Sequence, residues 1–218
     1  MRISPEAFSS DRPLGFVVLE GVNGSGKSTL QKGLSNHLSE KSVPHLLSQE
    51  PGGTDFGMEL RKMLLSNPST SRSPLAEALL FTADRAEHLE KVIRPALEEK
   101  QLVILDRFYY STIAFQGYGH GHSLKPLLKI TEIVLSGIRP DLVILLDLDP
   151  EEGLKRNSDK EEEDCFEDEQ LEFHRRLRSG FLKLADSLPE PFVVLDANSP
   201  KELLLAQATS LIERVIPK

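Results

Sequence analysis

The 218-residue sequence predicts a single domain, 1–218, of the α/β class, with helices on both faces of a doubly wound, five-stranded parallel sheet. Two observations lead to this fold class. Short apolar runs alternate with longer helical patterns, and polar residues cluster directly after the apolar runs. Because ligands of such sheets bind at the carboxyl ends of the strands, these polar clusters are the first candidates for a functional site.

The predicted strands are short and almost wholly apolar, as expected for parallel strands that are covered on both faces. They lie at 16–20, 45–49, 102–106, 142–147 and 192–196. Helical periodicity predicts the connecting helices. These lie at roughly 27–39, 56–65, 75–99, 125–136, 169–187 and 201–215.

Composition and charge exclude several classes of protein. A formal net charge of -8 argues against a general nucleic-acid binder, which needs a basic face to displace counterions from phosphates. The sequence contains neither an apolar stretch of signal-peptide character nor one long enough to span a membrane. Its one cysteine, Cys165, suits a reducing compartment. We therefore expect a cytoplasmic protein with no membrane or nucleic-acid partner.

The first strand leads into a glycine-rich segment, GVNGSGKS at 21–28, which fits the phosphate-binding pattern GxxxxGK[ST]. In this P-loop, glycines let backbone N–H groups point inward and the following helix presents its positive end to the phosphates. Lys27 would reach the β and γ phosphates, and Ser28 would reach Mg²⁺. A glycine-rich turn without function is the alternative. The predicted nucleoside triphosphate contacts are Gly21, Val22, Asn23, Gly24, Ser25, Gly26, Lys27, Ser28 and Thr29.

Further motifs resemble those of the thymidylate kinase family, in order and at the family's spacing, over nearly the whole chain from Phe16. They read EGVNGSGKST, QEPGGTDFGMELRKMLL, AEALLFTADRAEHL, DRFYYSTIAFQG, RPDLVILLDLDPEEGLKR and VLDA. The resemblance implies transfer of the γ-phosphate of ATP to dTMP on Mg²⁺, giving dTDP for dTTP synthesis. It also implies a homodimer packed through helices, and it makes 21–29 and Arg156 the ATP-binding residues.

The resemblance also implies an acceptor site for dTMP. Arg61 and Arg107 would grip the acceptor phosphate, since guanidinium groups suit a dianion. Phe81 would stack on thymine and Arg85 would bond its carbonyl edge, although periodicity alone would make Phe81 a core residue. The segment at 111–116 would line the base and deoxyribose, or simply begin a helix. The full predicted set is Asn23, Glu50, Pro51, Arg61, Phe81, Arg85, Arg107, Ser111, Thr112, Phe115 and Gln116, with a cis Glu50–Pro51 bond.

No general base is required, because the attacking atom belongs to an ionised phosphate, so catalysis rests on positioning and charge neutralisation. The predicted catalytic residues are Lys27, Asp106, Arg107, Arg156 and Lys160. The predicted magnesium ligands are Ser28, Asp106 and Glu167. For Asp106, a role in capping the strand end is the alternative.

The predicted lid, at about 156–168, departs from the family pattern. It reads RNSDKEEEDCFE, in which Arg156 and Lys160 remain as cations and Cys165 stands in place of an arginine. Such an acidic run is typical of a solvated, mobile segment. Asn23 and Gln49 also replace a carboxylate and an arginine of the family. Another nucleoside or nucleoside monophosphate kinase, or a catalytically weak nucleotide-binding homologue, therefore remains an alternative to a dTMP kinase.

Overall fold

The computed structural model describes residues 2–3, 14–65, 72–157, 166 and 169–217. Its centre is a six-stranded sheet in the order β1-β6-β5-β2-β4-β3. Strands β2 to β6 are parallel, which confirms the five predicted strands, whereas β1 runs antiparallel to β6 and was not predicted. The bounds are β1 Arg2–Ile3, β2 Phe16–Gly21, β3 His45–Gln49, β4 Leu102–Asp106, β5 Leu142–Asp147 and β6 Phe192–Asp196.

Strand β2 lies at the point where the strand order reverses, between β4 and β5. Its residue Leu19 pairs with Asp106 of β4 and with Ile144 of β5. The carboxyl ends of the three strands therefore meet at one edge of the sheet, where a crevice for ligands forms in folds of this kind. Side chains along these strands are almost completely buried, because helices cover both faces.

Nine α-helices occur among the described residues, with two π-helical segments, Leu89–Ile93 and Ile113–Gly119. The α-helices are α1 Lys27–Glu40, α2 Asp55–Leu65, α3 Pro74–His88, α4 Arg94–Glu98, α5 Tyr109–Thr112, α6 Leu124–Leu135, α7 Pro150–Asn157, α8 Leu171–Ser187 and α9 Lys201–Ile212. None of the described helices is long and apolar enough to cross a membrane.

The predicted helices differ from the structure in three places. The helix predicted at 75–99 consists of α3, a π-helical segment and α4. Pro95 has no N–H to donate within an α-helix, and the π-helical turn lies directly before the helix that contains it. The helical stretch from α5 through the second π-helical segment was foreseen only as the alternative for 111–116, and α7 was not predicted. Both stretches follow strand ends and carry residues of the candidate site.

Candidate active site

The P-loop connects β2 to α1 in a backbone conformation that requires glycine. Gly21 and Gly24 have φ angles of 145° and 76°. A Cβ atom on Gly24 would lie 2.2 Å from the carbonyl oxygen of Gly153, and one on Gly21 would lie 2.5 Å from that of Leu146. The loop is therefore packed against the end of β5 and the start of α7, which fixes its path.

Lys27 and Ser28 follow this loop in the first turn of α1. Lys27 Nζ donates to the carbonyl oxygens of Gly21 and Val22, at 3.2 and 3.3 Å, so its ammonium group lies across the loop. Ser28 Oγ donates to Asp106 Oδ2 at 3.0 Å. Asp106 Oδ1 is buried with no hydrogen-bond partner within the described part of the chain. A hydroxyl beside a carboxylate with a spare oxygen fits the oxygen ligands that Mg²⁺ prefers.

A pocket with an empty volume of about 540 Å³ lies beside the P-loop. All eleven residues predicted for the acceptor site line it. Three further lining residues were not predicted: Leu65, Phe108 and Phe166. The pocket combines aromatic rings with arginine side chains. Such a lining suits a nucleobase that is linked to an anionic group.

Arg107 joins the P-loop to this pocket. Its Nη1 donates to Gly21 O at 3.1 Å and to Ser111 Oγ at 3.0 Å, and its Nη2 donates to Asn23 Oδ1. The guanidinium carbon also lies 5.3 Å from the centroid of the Phe115 ring. The backbone of Arg107 is left-handed, with φ 69°, which turns the chain sharply after β4.

Glu20 holds the segment that follows Arg107 in place. It was not among the residues predicted from the sequence. Its side chain is completely buried at the end of β2 and accepts from Phe108 N at 2.9 Å and Ser111 N at 3.2 Å. Ser111 Oγ donates to its other oxygen at 2.8 Å. Burial raises the pKa of the Glu20 carboxyl. The available signal was an acidic residue within an otherwise apolar strand.

Arg85 forms one wall of the pocket while its side chain is only 2% exposed. Its Nε lies 2.8 Å from Glu50 Oε2, and its Nη2 donates to Thr112 Oγ1 at 3.3 Å. Its Nη1 has no hydrogen-bond partner among the residues that the structure describes. The two N–H groups of Nη1 are thus left for a ligand.

Arg61, from α2, and the turn before that helix also line the pocket. The Glu50–Pro51 bond is cis, as predicted, and Pro51 O accepts from Arg61 Nη1 at 3.0 Å. Phe81 is half-buried in α3, and its ring centroid lies 6.3 Å from that of Phe166. Gln116 is buried and donates from Nε2 to Glu77 Oε2 at 3.4 Å.

A second pocket, with an empty volume of about 1060 Å³, lies beside the first turns of α1. Ser25, Gly26 and Thr29 line it together with Arg156 and the loop after β6. Arg156 Nη1 donates to Ala197 O at 3.0 Å, and the same guanidinium pairs with Glu152. Arg156 is thereby brought together with the P-loop side of α1.

Two predicted site residues, Lys160 and Glu167, lie outside the described residues, as does Cys165 and most of the predicted lid. Within the part of the chain that the structure describes, no group of three or more His, Cys, Asp or Glu side chains could hold a metal ion. A cation bound at Ser28 and Asp106 would therefore need further oxygen ligands from water or from phosphate.

Comparison with known proteins gives one consistent result. A sequence profile described as thymidylate kinase matches residues 19–208. The chain is 43% identical to the thymidylate kinase of Carboxydothermus hydrogenoformans over 91% of this chain and 96% of that protein, and 42% identical to that of Desulfovibrio desulfuricans over 91% and 94%. The crystal structure of thymidylate kinase from Ehrlichia chaffeensis superposes with a TM-score of 0.73 at 30% identity, covering 90% of this chain and 97% of that one.

Proposed function

The chain belongs to the thymidylate kinase family, and from this premise we propose that it phosphorylates dTMP to dTDP with the γ-phosphate of ATP. The observation that carries the proposal is the pocket beside the P-loop, in which Phe81 and Arg85 lie with Arg61 and Arg107. A flat aromatic wall with arginines around it suits a pyrimidine monophosphate.

In the acceptor pocket, Arg61 and Arg107 bind the phosphate of dTMP. Two guanidinium groups can each give parallel N–H bonds to a dianion, which a lysine cannot do. Phe81 stacks on thymine and the free Nη1 of Arg85 donates to its O4 edge. Phe115, which also contacts Arg107, lies near the sugar and disfavours ribose.

The P-loop binds the triphosphate of ATP through its backbone N–H groups and Lys27. Lys27 Nζ donates to the carbonyl oxygens of Gly21 and Val22, and these bonds keep its ammonium group at the open side of the loop. The second pocket, which Arg156 lines, accepts the nucleoside of ATP. Donor and acceptor then approach from opposite sides of the P-loop.

Magnesium is the cofactor that the family implies, and Ser28 and Asp106 would hold it. Asp106 Oδ1, which is buried with no hydrogen-bond partner among the described residues, supports this assignment. When bound, Mg²⁺ neutralises negative charge on the transferring phosphate. Glu167 remains a predicted third ligand, outside the described residues.

The chain's own residues act by positioning and by charge. The acceptor phosphate is already ionised, so no side chain has to remove a proton from it. Arg107 holds the acceptor phosphate on the pocket side of Asn23, while Lys27 holds the donor phosphates on the loop side. Because both side chains are anchored to the Gly21 carbonyl, they set the separation of the two substrates.

We propose further that the protein is a homodimer. Several large apolar side chains are exposed on α2, α3 and α6, where they would cost free energy in water. They are Phe56, Met58, Met63, Leu75, Leu79, Leu128 and Ile133, the last 76% exposed. Light scattering should give twice the chain mass, and Ile133→Glu should shift the mass towards one chain.

The cellular setting is also a proposal. An activity that supplies dTDP for dTTP synthesis, and a chain with the single cysteine Cys165, suit the cytoplasm. The net charge of -8 supports small anionic substrates bound locally rather than a nucleic-acid partner.

The test is a coupled assay of ADP release with ATP and Mg²⁺ across dTMP, dUMP, dCMP and thymidine. We expect kcat/KM to be highest for dTMP. A preference for thymidine would indicate a nucleoside kinase instead, and ATP binding without turnover on any acceptor would indicate a nucleotide-binding homologue. Lys27→Ala, which removes the cation that binds the donor phosphates, is the control for contaminating kinases.

A further inference from the structure

Three ionisable side chains of α3 are buried next to the acceptor pocket. Asp84 and His88 are completely buried and Arg85 is 2% exposed. Arg85 lines the pocket, whereas Asp84 and His88 do not. Both of them instead contact the turn at 50–53, which connects β3 to α2. Their role is not explained by contact with a substrate.

Asp84 is bonded to the backbone of this turn. Its Oδ1 accepts from Gly52 N at 3.0 Å, and Gly52 has φ 113°, a conformation that glycine favours. Asp84 Oδ2 is buried without a hydrogen-bond partner among the described residues. A buried carboxylate with one unpaired oxygen lowers stability, so its presence calls for a role beyond packing.

His88 holds the same turn through Glu50. Its Nδ1 lies 3.2 Å from Glu50 Oε1, and its Nε2 lies 2.7 Å from Ser48 Oγ. Because a carboxylate only accepts, this geometry indicates a proton on Nδ1. Glu50 Oε2 in turn lies 2.8 Å from Arg85 Nε.

The turn therefore contacts two of the three arginines that line the acceptor pocket. Pro51 O accepts from Arg61, and Glu50 pairs with Arg85. Helix α2 fits closely against α3 at this point, since a Cβ atom on Gly57 would lie 2.2 Å from Asp84 Oδ1. A shift of Asp84 would move the turn, and with it the separation of the two guanidinium groups.

We propose that Asp84 is a positioning residue for the acceptor: its bond to Gly52 N–H sets the turn so that Arg61 and Arg85 meet the two ends of one dTMP molecule. This inference rests on the proposed function. Asp84 touches neither substrate, and it acts through Pro51, Glu50 and the two arginines. A change that removes its hydrogen bond should therefore weaken dTMP binding and leave ATP binding intact.

The experiment compares Asp84→Ala, which removes the acceptor oxygen, with Asp84→Asn, which keeps it. Because the bond to Gly52 is charge-assisted, we expect Asp84→Ala to raise KM for dTMP about tenfold with KM for ATP within about twofold. Asp84→Asn should return KM for dTMP to within about threefold of the unchanged protein. Direct titration with dTMP should give the same order of affinities.

Asp141 provides a matched control. Its side chain is half-buried, and its Oδ2 accepts from Gly15 N and Phe16 N, at 2.8 and 2.9 Å, at the other end of the sheet. Asp141→Ala should lower the melting temperature and leave KM for dTMP unchanged. If Asp141→Ala raises KM for dTMP as much as Asp84→Ala does, or if Asp84→Ala alters both KM values equally, the inference fails and Asp84 serves stability alone.

Gly57→Ala tests the same contact without changing Asp84, in case Asp84→Ala does not fold. Its new methyl group would displace Asp84 Oδ1, so we expect a selective rise in KM for dTMP, and a smaller rise when Asp84→Ala is added. An unchanged KM in Gly57→Ala would count against the inference. If the unchanged protein does not phosphorylate dTMP at all, the proposed function fails instead.

Discussion

Ser28 Oγ donates a hydrogen bond to Asp106 Oδ2 over 3.0 Å, and this bond joins the first turn of α1 to the end of β4. The two residues come from separate motifs of the sequence. Parallel pairing of β2 with β4 brings them together, since Asp106 lies beside Leu19 in the sheet. The pair thus couples the donor loop to the strand that leads into Arg107.

We predict that Ser28→Ala and Asp106→Asn each raise the Mg²⁺ concentration needed for half-maximal turnover. Loss of one ligand or of its hydrogen-bonded support weakens metal sites by roughly 10- to 100-fold. A magnesium titration at saturating ATP and dTMP measures this. Ser35→Ala, further along α1 and bonded to His45, is the control. An unchanged magnesium requirement in both variants would argue against this pair as the metal site.

Arg85→Ala should raise KM for dTMP far more than KM for ATP. Removing a charged donor from a buried site leaves the base edge unpaired, which corresponds to roughly 10- to 100-fold in affinity. Steady-state kinetics with each substrate varied in turn measures the two constants. Arg94→Ala, on a half-buried arginine of α4 that pairs with Glu90, should change neither. Equal effects on both substrates would show that Arg85 does not contact the base.

Lys160→Ala should lower turnover more than it weakens the binding of either substrate, whereas Cys165→Ala should have little effect. A cation above the transferring phosphate acts mainly in the transition state. Cys165→Arg should raise turnover, because arginine stands at this position in the family pattern. Kinetics under saturating Mg-ATP decides between these outcomes. Normal turnover in Lys160→Ala would leave Arg156 or a residue from outside the lid as the cation.

Asp84→Asn should change how stability depends on pH. Burial, and secondarily the nearby carboxylate of Glu50, raises the pKa of Asp84 to about 6, while Gly52 N–H, Arg85 and His88 oppose this. The folded state therefore holds this proton more tightly than the unfolded chain, so the contribution of Asp84 to stability falls as pH rises towards 6.

Asparagine does not titrate. The difference in the free energy of unfolding, Asp84→Asn minus the unchanged protein, should therefore increase by roughly 1–2 kcal/mol between pH 5 and 7.5. Urea unfolding at both pH values measures the difference. Thr82→Val, a buried change on the same helix, should show no such gain. A constant difference between the two pH values would mean that Asp84 does not titrate in this range.

The parallel sheet could be predicted because short, continuous apolar runs such as 142–147 are typical of parallel strands that are buried on both faces. The π-helical segments could not, since a one-residue widening leaves no mark on the periodicity over so short a stretch. Pro95 was the visible signal for the first of them. The antiparallel strand Arg2–Ile3 is too short to show a pattern at all.

The acceptor pocket could be predicted largely through family motifs, whereas its support could not. Phe81 and Arg85 are four residues apart and share one helix face, as their spacing indicates. Glu20 and Asp84 were missed, because a buried acid is rare and its partners, backbone N–H groups of distant segments, leave no trace in the sequence. Phe108 was missed because an aromatic residue after a strand is most often core.

During synthesis on the ribosome, β2 emerges before either of the strands that flank it in the sheet. Both of its hydrogen-bonding edges stay open until β4 and then β5 have followed. An apolar strand with open edges is a template for aggregation until its neighbours pair with it. Slow translation between residues 21 and 102, while both edges are open, should therefore lower the yield of soluble protein more than slow translation after Asp147.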